Sequence, residues 1–143
     1  MSDQLQQTSA GPVLLGLDLG TKRSGVAIAK HGLATEYDTL TEPNMLVQSI
    51  VDICKKELVT KIIIGLPLNN DHTESDQSGW VRKQVESIVA ATRLPVVFED
   101  EYLTSTEARQ QLLALGLSAD QIKTRLDSKS AQLLLEQYLT QEL

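Results

Sequence analysis

Four acids carry most of the chemical promise of this 143-residue chain: Asp18, Asp100, Glu101 and Asp127. Asp18 stands among Leu15, Leu17 and Leu19, in an apolar run that begins at Val13. An ionised carboxylate in such a run loses several kcal/mol of hydration unless something pairs with it. A divalent cation is one such partner. Mg²⁺ keeps several of its waters and takes one or two carboxylates together with a substrate phosphate. Two such ions, about 3.5–4 Å apart, stabilise the attacking and leaving oxygens of an in-line phosphodiester displacement. Without metal, acids gathered this closely force at least one carboxyl to keep its proton. Each acid also admits a plainer role. Asp127 can serve as a helix N-cap, and Asp100 and Glu101 can be a solvated strand end.

The segment after Asp18 adds phosphate chemistry. Gly20 lets backbone amides approach an anion closely, Thr21 offers a hydroxyl, and Lys22 and Arg23 offer charge. The pattern Gly-x-Asp-x-Gly-Thr serves phosphate binding in more than one enzyme class.

These acids are far apart in sequence, so the fold must gather them. Residues 13–19 and 24–30 read as two strands of a hairpin, with Leu33–Leu40 as a third antiparallel strand. Pro43 suits a helix's first turn, and Leu46, Ile50, Ile53 and Cys54 repeat at helical spacing to about Glu57. Residues 61–65 form a continuous apolar run, as in a strand buried on both faces, and 66–72 are rich in turn formers. Val81, Val85, Ile88 and Val89 mark a helix, with Trp80 at its core edge. Residues 94–98 read as a last strand ending in Glu99-Asp100-Glu101. Thr104 to Glu107 is a capping box that opens a helix, and Ser118 to Gln121 is a second that opens a short helical turn. Asp127-Ser128 then precedes a final helix with Ala131, Leu134, Leu135, Tyr138 and Leu139 on one face. The order β-β-β-α-β-α-β-α-α predicts an α/β fold, a mixed sheet with a leading antiparallel three-strand set and helices on both faces. Sites in such sheets form beyond the carboxyl ends of the parallel strands.

Composition narrows the class. Residues 1–12 read as a disordered leader and 13–143 as one domain. No apolar run is long enough for a membrane helix. The lone Cys54 excludes an internal disulfide and reads as a buried, inert thiol, which fits the cytoplasm. His31 and His72 lack zinc-ligand spacing. A net charge of −6 sits awkwardly with a nucleic-acid partner, and 3% aromatic content argues against a protein that coats single strands. Basic residues nonetheless group at Lys22-Arg23, at Arg82-Lys83 and at Lys123, Arg125 and Lys129.

Residues 16–27, then Ile64 to Asn69 with Asp71, then Asp100-Glu-Tyr-Leu-Thr104 with Glu107-Ala108, and Asp127-Ser128 occur in an order that resembles the YqgF family. That family is described as Holliday junction resolvases and as pre-16S ribosomal RNA nucleases with an RNase H-like fold. The resemblance spans Val13 to the C-terminus. It implies metal-dependent hydrolysis of a nucleic-acid backbone, with Mg²⁺ or Mn²⁺ held by Asp18, Glu101 and Asp127 and Asp100 as a further candidate ligand. It also implies Lys22 and Arg23 on phosphate and the loop through Asn69 lining the cleft. The implied partners are structured RNA, including the small-subunit precursor, or branched DNA. Cutting a four-way junction symmetrically calls for a homodimer. Two positions depart from the family pattern: Tyr102 replaces an Arg, removing a charge beside the acids, and His72 replaces a Gly.

Two other readings stay open at this level. One is an RNA-associated binding factor whose site has decayed, consistent with the acidic balance and Tyr102. The other is an ATP-binding module of the actin and sugar-kinase type, whose first hairpin has the same motif but which needs over twice this length.

Overall fold

The computed structural model describes residues 11–101 and 104–141. Most of the expected leader, and Tyr102, lie outside the described residues.

The chain opens with β1 (Val13–Asp18), β2 (Ser24–Lys30) and β3 (Leu33–Leu40). A 3-10 turn (Pro43–Met45) leads into α1 (Leu46–Glu57). Then follow β4 (Lys61–Leu66), α2 (Asp76–Thr92), β5 (Val96–Asp100), α3 (Thr104–Ala114) and α4 (Ala119–Gln141). The strands form one sheet in the order β3-β2-β1-β4-β5. β1, β2 and β3 pair antiparallel, whereas β4 lies parallel to β1 and β5 parallel to β4. The parallel pairs need crossovers, and α1 and α2 supply them.

Side-chain alternation divides the sheet into two unlike faces. Leu15, Leu17, Val26, Ile28, Ile62 and Ile64 pack against Leu46, Ile50 and Ile53 of α1 and Val81, Val85 and Ile88 of α2. The opposite face carries small residues, with Ala27 and Ala29 packing together with Ile63 on Ala131, Leu135 and Tyr138 of α4. Gly25 and Gly65 belong to this second face, and both are required by close approach. A Cβ on Gly25 would collide with the Asp127 carbonyl, and one on Gly65 with Glu101 Oε2. The helix therefore lies almost directly on the backbone of the sheet.

Asp127 does not open the last helix. The second capping box nucleates α4 much earlier, as the Gln121 N–H donates to Ser118 Oγ at 3.2 Å and the Ser118 N–H to Gln121 Oε1 at 2.8 Å. No Gly or Pro interrupts the chain from there to Gln141, so one 23-residue helix replaces the expected short turn plus a final helix. Asp127 is thus an interior helical residue, and the N-cap role is removed. α2 likewise begins before the apolar stripe from Val81. Ser75 caps it, accepting from the Ser78 N–H at 3.0 Å, while Ser78 Oγ accepts from the Ser75 N–H at 2.8 Å. Ser replaces the usual Glu or Gln of that motif.

Candidate active site

The carboxyl ends of β1, β4 and β5 finish at one edge of the sheet, and three acids reach that edge from different elements. Asp18 is the last residue of β1 and pairs across the ladder with Gly25. Because the Asp127 main chain rests on Gly25, α4 brings Asp127 beside Asp18. Glu101 directly follows β5, its N–H donating to the Leu66 carbonyl at 3.3 Å, and its carboxylate lies over Gly65.

Asp18 and Glu101 are hydrogen-bonded to each other through their carboxyl groups. Burial pushes Asp18 up to about 6; the hydrogen bond from Glu101 opposes this and the charge of Asp127 adds to it. Glu101 rises further, to about 9, through burial first, then the Asp18 charge, the hydrogen bond it donates and the charge of Asp100. At neutral pH the pair holds one proton, shared between the two carboxyls. Glu101 Oε2 is buried and has no hydrogen-bond partner among the described residues.

Asp127 is engaged by Arg23, its Oδ2 accepting from Arg23 Nε at 3.1 Å. With one acid bound to Arg23 and two bound to each other, no group of three His, Cys, Asp or Glu side chains among the described residues is placed to hold a metal ion as it stands. The donor set nevertheless suits a hard divalent cation: oxygen donors only, one of them orphaned, in a pair whose ionised forms repel. Asp18 and Glu101 would hold such a cation in place of the proton they share.

The remaining expected contacts are placed as follows. Gly20 closes its own turn, its N–H donating to Ser24 Oγ at 3.2 Å. Thr21 and Lys22 are exposed at the tip. The Asn69 side-chain amide donates to Thr73 Oγ1 and the Glu74 carbonyl, each at 3.0 Å, and so binds its own loop together.

Two relationships at this edge lack any local sequence signal. His72 holds the left-handed region at φ 64°, a backbone shape that glycine favours, and its Nδ1 lies 2.5 Å from Asp100 Oδ2. This contact fastens the 67–75 loop to the strand end beside Glu101. Behind the site, Gln137 Nε2 of α4 donates to Glu99 Oε2 at 2.7 Å and to the Asp100 carbonyl at 3.2 Å. Glu99 is only 6% exposed, so this amide supplies hydrogen bonding that water cannot.

The basic groups are unequal. Arg82 is bound to Glu74 through two nitrogens, at 2.7 and 3.1 Å, and lies over the Phe98 ring at 4.9 Å. Arg125 is bound to Glu36 at 3.3 and 2.5 Å, and Ser128 Oγ donates to the same carboxylate at 2.8 Å.

Comparison with known proteins agrees with this architecture. The fold is RNase H-like. Thermus thermophilus RuvC, solved with a Holliday junction substrate, superposes with a TM-score of 0.58 at 14% identity, covering 92% of this chain and 96% of that one. The fowlpox virus resolvase, solved with Holliday junction DNA, gives a TM-score of 0.60 at 11% identity, covering 92% and 99%. The RuvX family model, described as Holliday junction resolvase, matches residues 12–141. A Bartonella henselae protein named "Putative pre-16S rRNA nuclease" is 35% identical over 130 residues, covering 88% of this chain and 82% of the relative. A Trichormus variabilis protein of the same name is 37% identical over 129 residues, covering 87% and 85%. The chain belongs to the RuvX (YqgF) Holliday junction resolvase family. Among the described residues, no helix is long and apolar enough to cross a membrane.

Proposed function

We propose that this protein is a divalent-metal-dependent endonuclease that hydrolyses phosphodiester bonds in structured nucleic acid, either precursor 16S ribosomal RNA or a four-way DNA junction. The observation that carries this reading is the half-buried, proton-sharing pair of Asp18 and Glu101, with Asp127 alongside. Such a pair is costly for stability and fits a site where a cation takes the proton's place. Asp18, Glu101 and Asp127 would hold Mg²⁺ or Mn²⁺, with Asp100 at the margin. When bound, the metal supplies positive charge and Lewis acidity beside the scissile phosphate.

The chain's own residues do the rest. Arg23, half-exposed and borrowed by Asp127, can exchange that carboxylate for a phosphate oxygen and leave Asp127 free to ligate. Lys22 at the turn tip adds a second cation. Partial burial of the three acids at the strand ends strengthens the charge interactions among them. Cytoplasmic residence, association with the small-subunit precursor and, for junction cutting, a two-fold dimer belong to the same proposal.

The test compares cleavage of precursor 16S RNA and of a four-way junction, with Mn²⁺ and with chelator, for the wild type and Asp18→Asn. Metal-dependent cutting of one substrate, abolished by Asp18→Asn while binding persists, is the expected result. Wild-type-like turnover by Asp18→Asn overturns the reading.

A further inference from the structure

An open groove of about 610 Å³ runs away from Asp127 on the β3 side of the sheet. One wall is the C-terminal half of β3, continuing to Thr41, and the other is the N-terminal half of α4. Arg23 stands where the groove meets the acids, because the same guanidinium lines it and binds Asp127. The groove is therefore continuous with the candidate active site.

Its basic side chains offer contacts to a polyanion. Arg23, whose charge Asp127 shares, and Lys123 both line it, and Lys123 is exposed and makes no ion pair among the described residues. Glu36 also lines the groove, but Arg125 and Ser128 occupy both its oxygens and compensate its charge. Thr39 and Thr41 present hydroxyls. Tyr37, the one aromatic ring here, packs on the core and donates its hydroxyl to Glu57 at 2.8 Å. On a surface that is otherwise largely apolar, the lining offers charges and hydroxyls that match phosphates and sugars, and Tyr37 is its one ring. Asp38 is the exception, an exposed carboxylate with no cationic partner among the described residues.

The opposite flank of the acids is different. There Arg82 is committed to Glu74 and to the Phe98 ring, and Asp71 adds negative charge.

We infer that the nucleic-acid strand flanking the scissile phosphate runs through the groove between β3 and α4, its phosphates meeting Arg23 and Lys123, and not across the 67–75 loop. This rests on the nuclease reading, since the occupant is the strand being cut.

The test measures affinity by fluorescence anisotropy in chelator across a salt series. The probes are a blunt hairpin oligonucleotide and the same hairpin with a single-stranded tail, each in ribose and deoxyribose form. With the sugar that the wild type cuts, Lys123→Glu should weaken binding of the tailed probe by about tenfold and lower the log–log salt slope by about one. The loss should be smaller for the blunt probe. Asp38→Asn should tighten the tailed probe a few-fold, and Lys83→Ala, on exposed α2 surface, should change nothing. The melting temperature of Lys123→Glu should match the wild type, separating lost contact from lost structure. If Lys123→Glu and Asp38→Asn both bind the tailed probe as the wild type does, while the wild type still cuts, the groove assignment is overturned and the nuclease reading stands. A wild type that neither binds nor cuts any probe overturns both.

Discussion

The main-chain carbonyl of Asp127 occupies the space where a side chain on Gly25 would begin. Since Gly25 is also the ladder partner of Asp18, one missing methyl group sets the distance between two acids that belong to different elements. Gly25→Ala should force α4 away from β2. Overpacking of this kind costs about 1–3 kcal/mol. Cleavage should fall further than that loss explains, because Asp127 retreats from Asp18. Urea unfolding paired with cleavage assays on folded protein checks this. A variant with intact stability and full activity would contradict it.

The Asp18–Glu101 pair makes a prediction about pH. Both carboxyls titrate higher in the folded protein, about 6 and about 9, than in the unfolded chain, where carboxyls titrate near 4. The folded state therefore binds more protons across that interval. The pair's contribution to stability is full below about pH 4 and is lost as pH rises through about 6 and then about 9. Denaturation in chelator at several pH values should show this decline, and Glu101→Gln should flatten its upper part.

Metal binding should run in the opposite direction. A cation between the two acids requires both to be ionised, so binding expels a proton and strengthens with pH. The rise in melting temperature with millimolar Mn²⁺ should be larger near pH 9 than near pH 6, and Asp18→Asn should abolish it. Equal shifts at both pH values would mean that the ion binds elsewhere. Absence of any shift would favour a decayed site.

Gln137 supports the acids from behind. Gln137→Leu would leave the buried Glu99 carboxylate without its donor, at a cost of about 1–3 kcal/mol. It would also release the Asp100 carbonyl, loosening the strand end that carries Glu101. Lower stability together with a lower cleavage rate is expected, measured by denaturation and single-turnover cutting.

His72→Gly should exchange small opposing terms. Glycine relieves the left-handed backbone, worth about 1–2 kcal/mol, and gives back about 0.5–1 kcal/mol of that in unfolded-chain entropy. Loss of the contact with Asp100, made by a ring that is 67% exposed, costs at most about 1 kcal/mol. Global stability should therefore hardly move, while amide exchange in residues 67–75 should quicken. Unchanged exchange there would show that the loop does not depend on this clasp.

Much of this was legible in the sequence, and the exceptions have physical causes. The apolar runs at 13–19 and 24–30 on either side of a short turn, and the bare apolar run at 61–65, locate β1, β2 and β4, because strands buried on both faces leave little choice of residue. The family preference for Gly at position 72 becomes intelligible from the backbone angle that His72 adopts. Asp-Ser at 127–128 is a strong cap pattern, and only the uninterrupted helix from Ala119 shows Asp127 as an interior residue. The start of α2 carries no usual box signature, because Ser78 does the work of a Glu. The Glu99–Gln137 and Arg23–Asp127 pairs join residues remote in sequence. No local pattern encodes such contacts; they arise only when α4 is laid on a face of small residues.

Mounting Asp127 inside α4 has a consequence for how this protein can change. Ile122 before it and Ala131 after it are both clamped in the core, so the acid hangs from a bar secured on either side. The connection at 115–118 can lengthen, shorten or be nicked without disturbing the acid. Deleting one residue between Ile122 and Asp127 would rotate the acid by about 100° relative to its upstream anchor. Tolerance to insertion and extreme sensitivity to register should thus sit a few residues apart on the same stretch of chain.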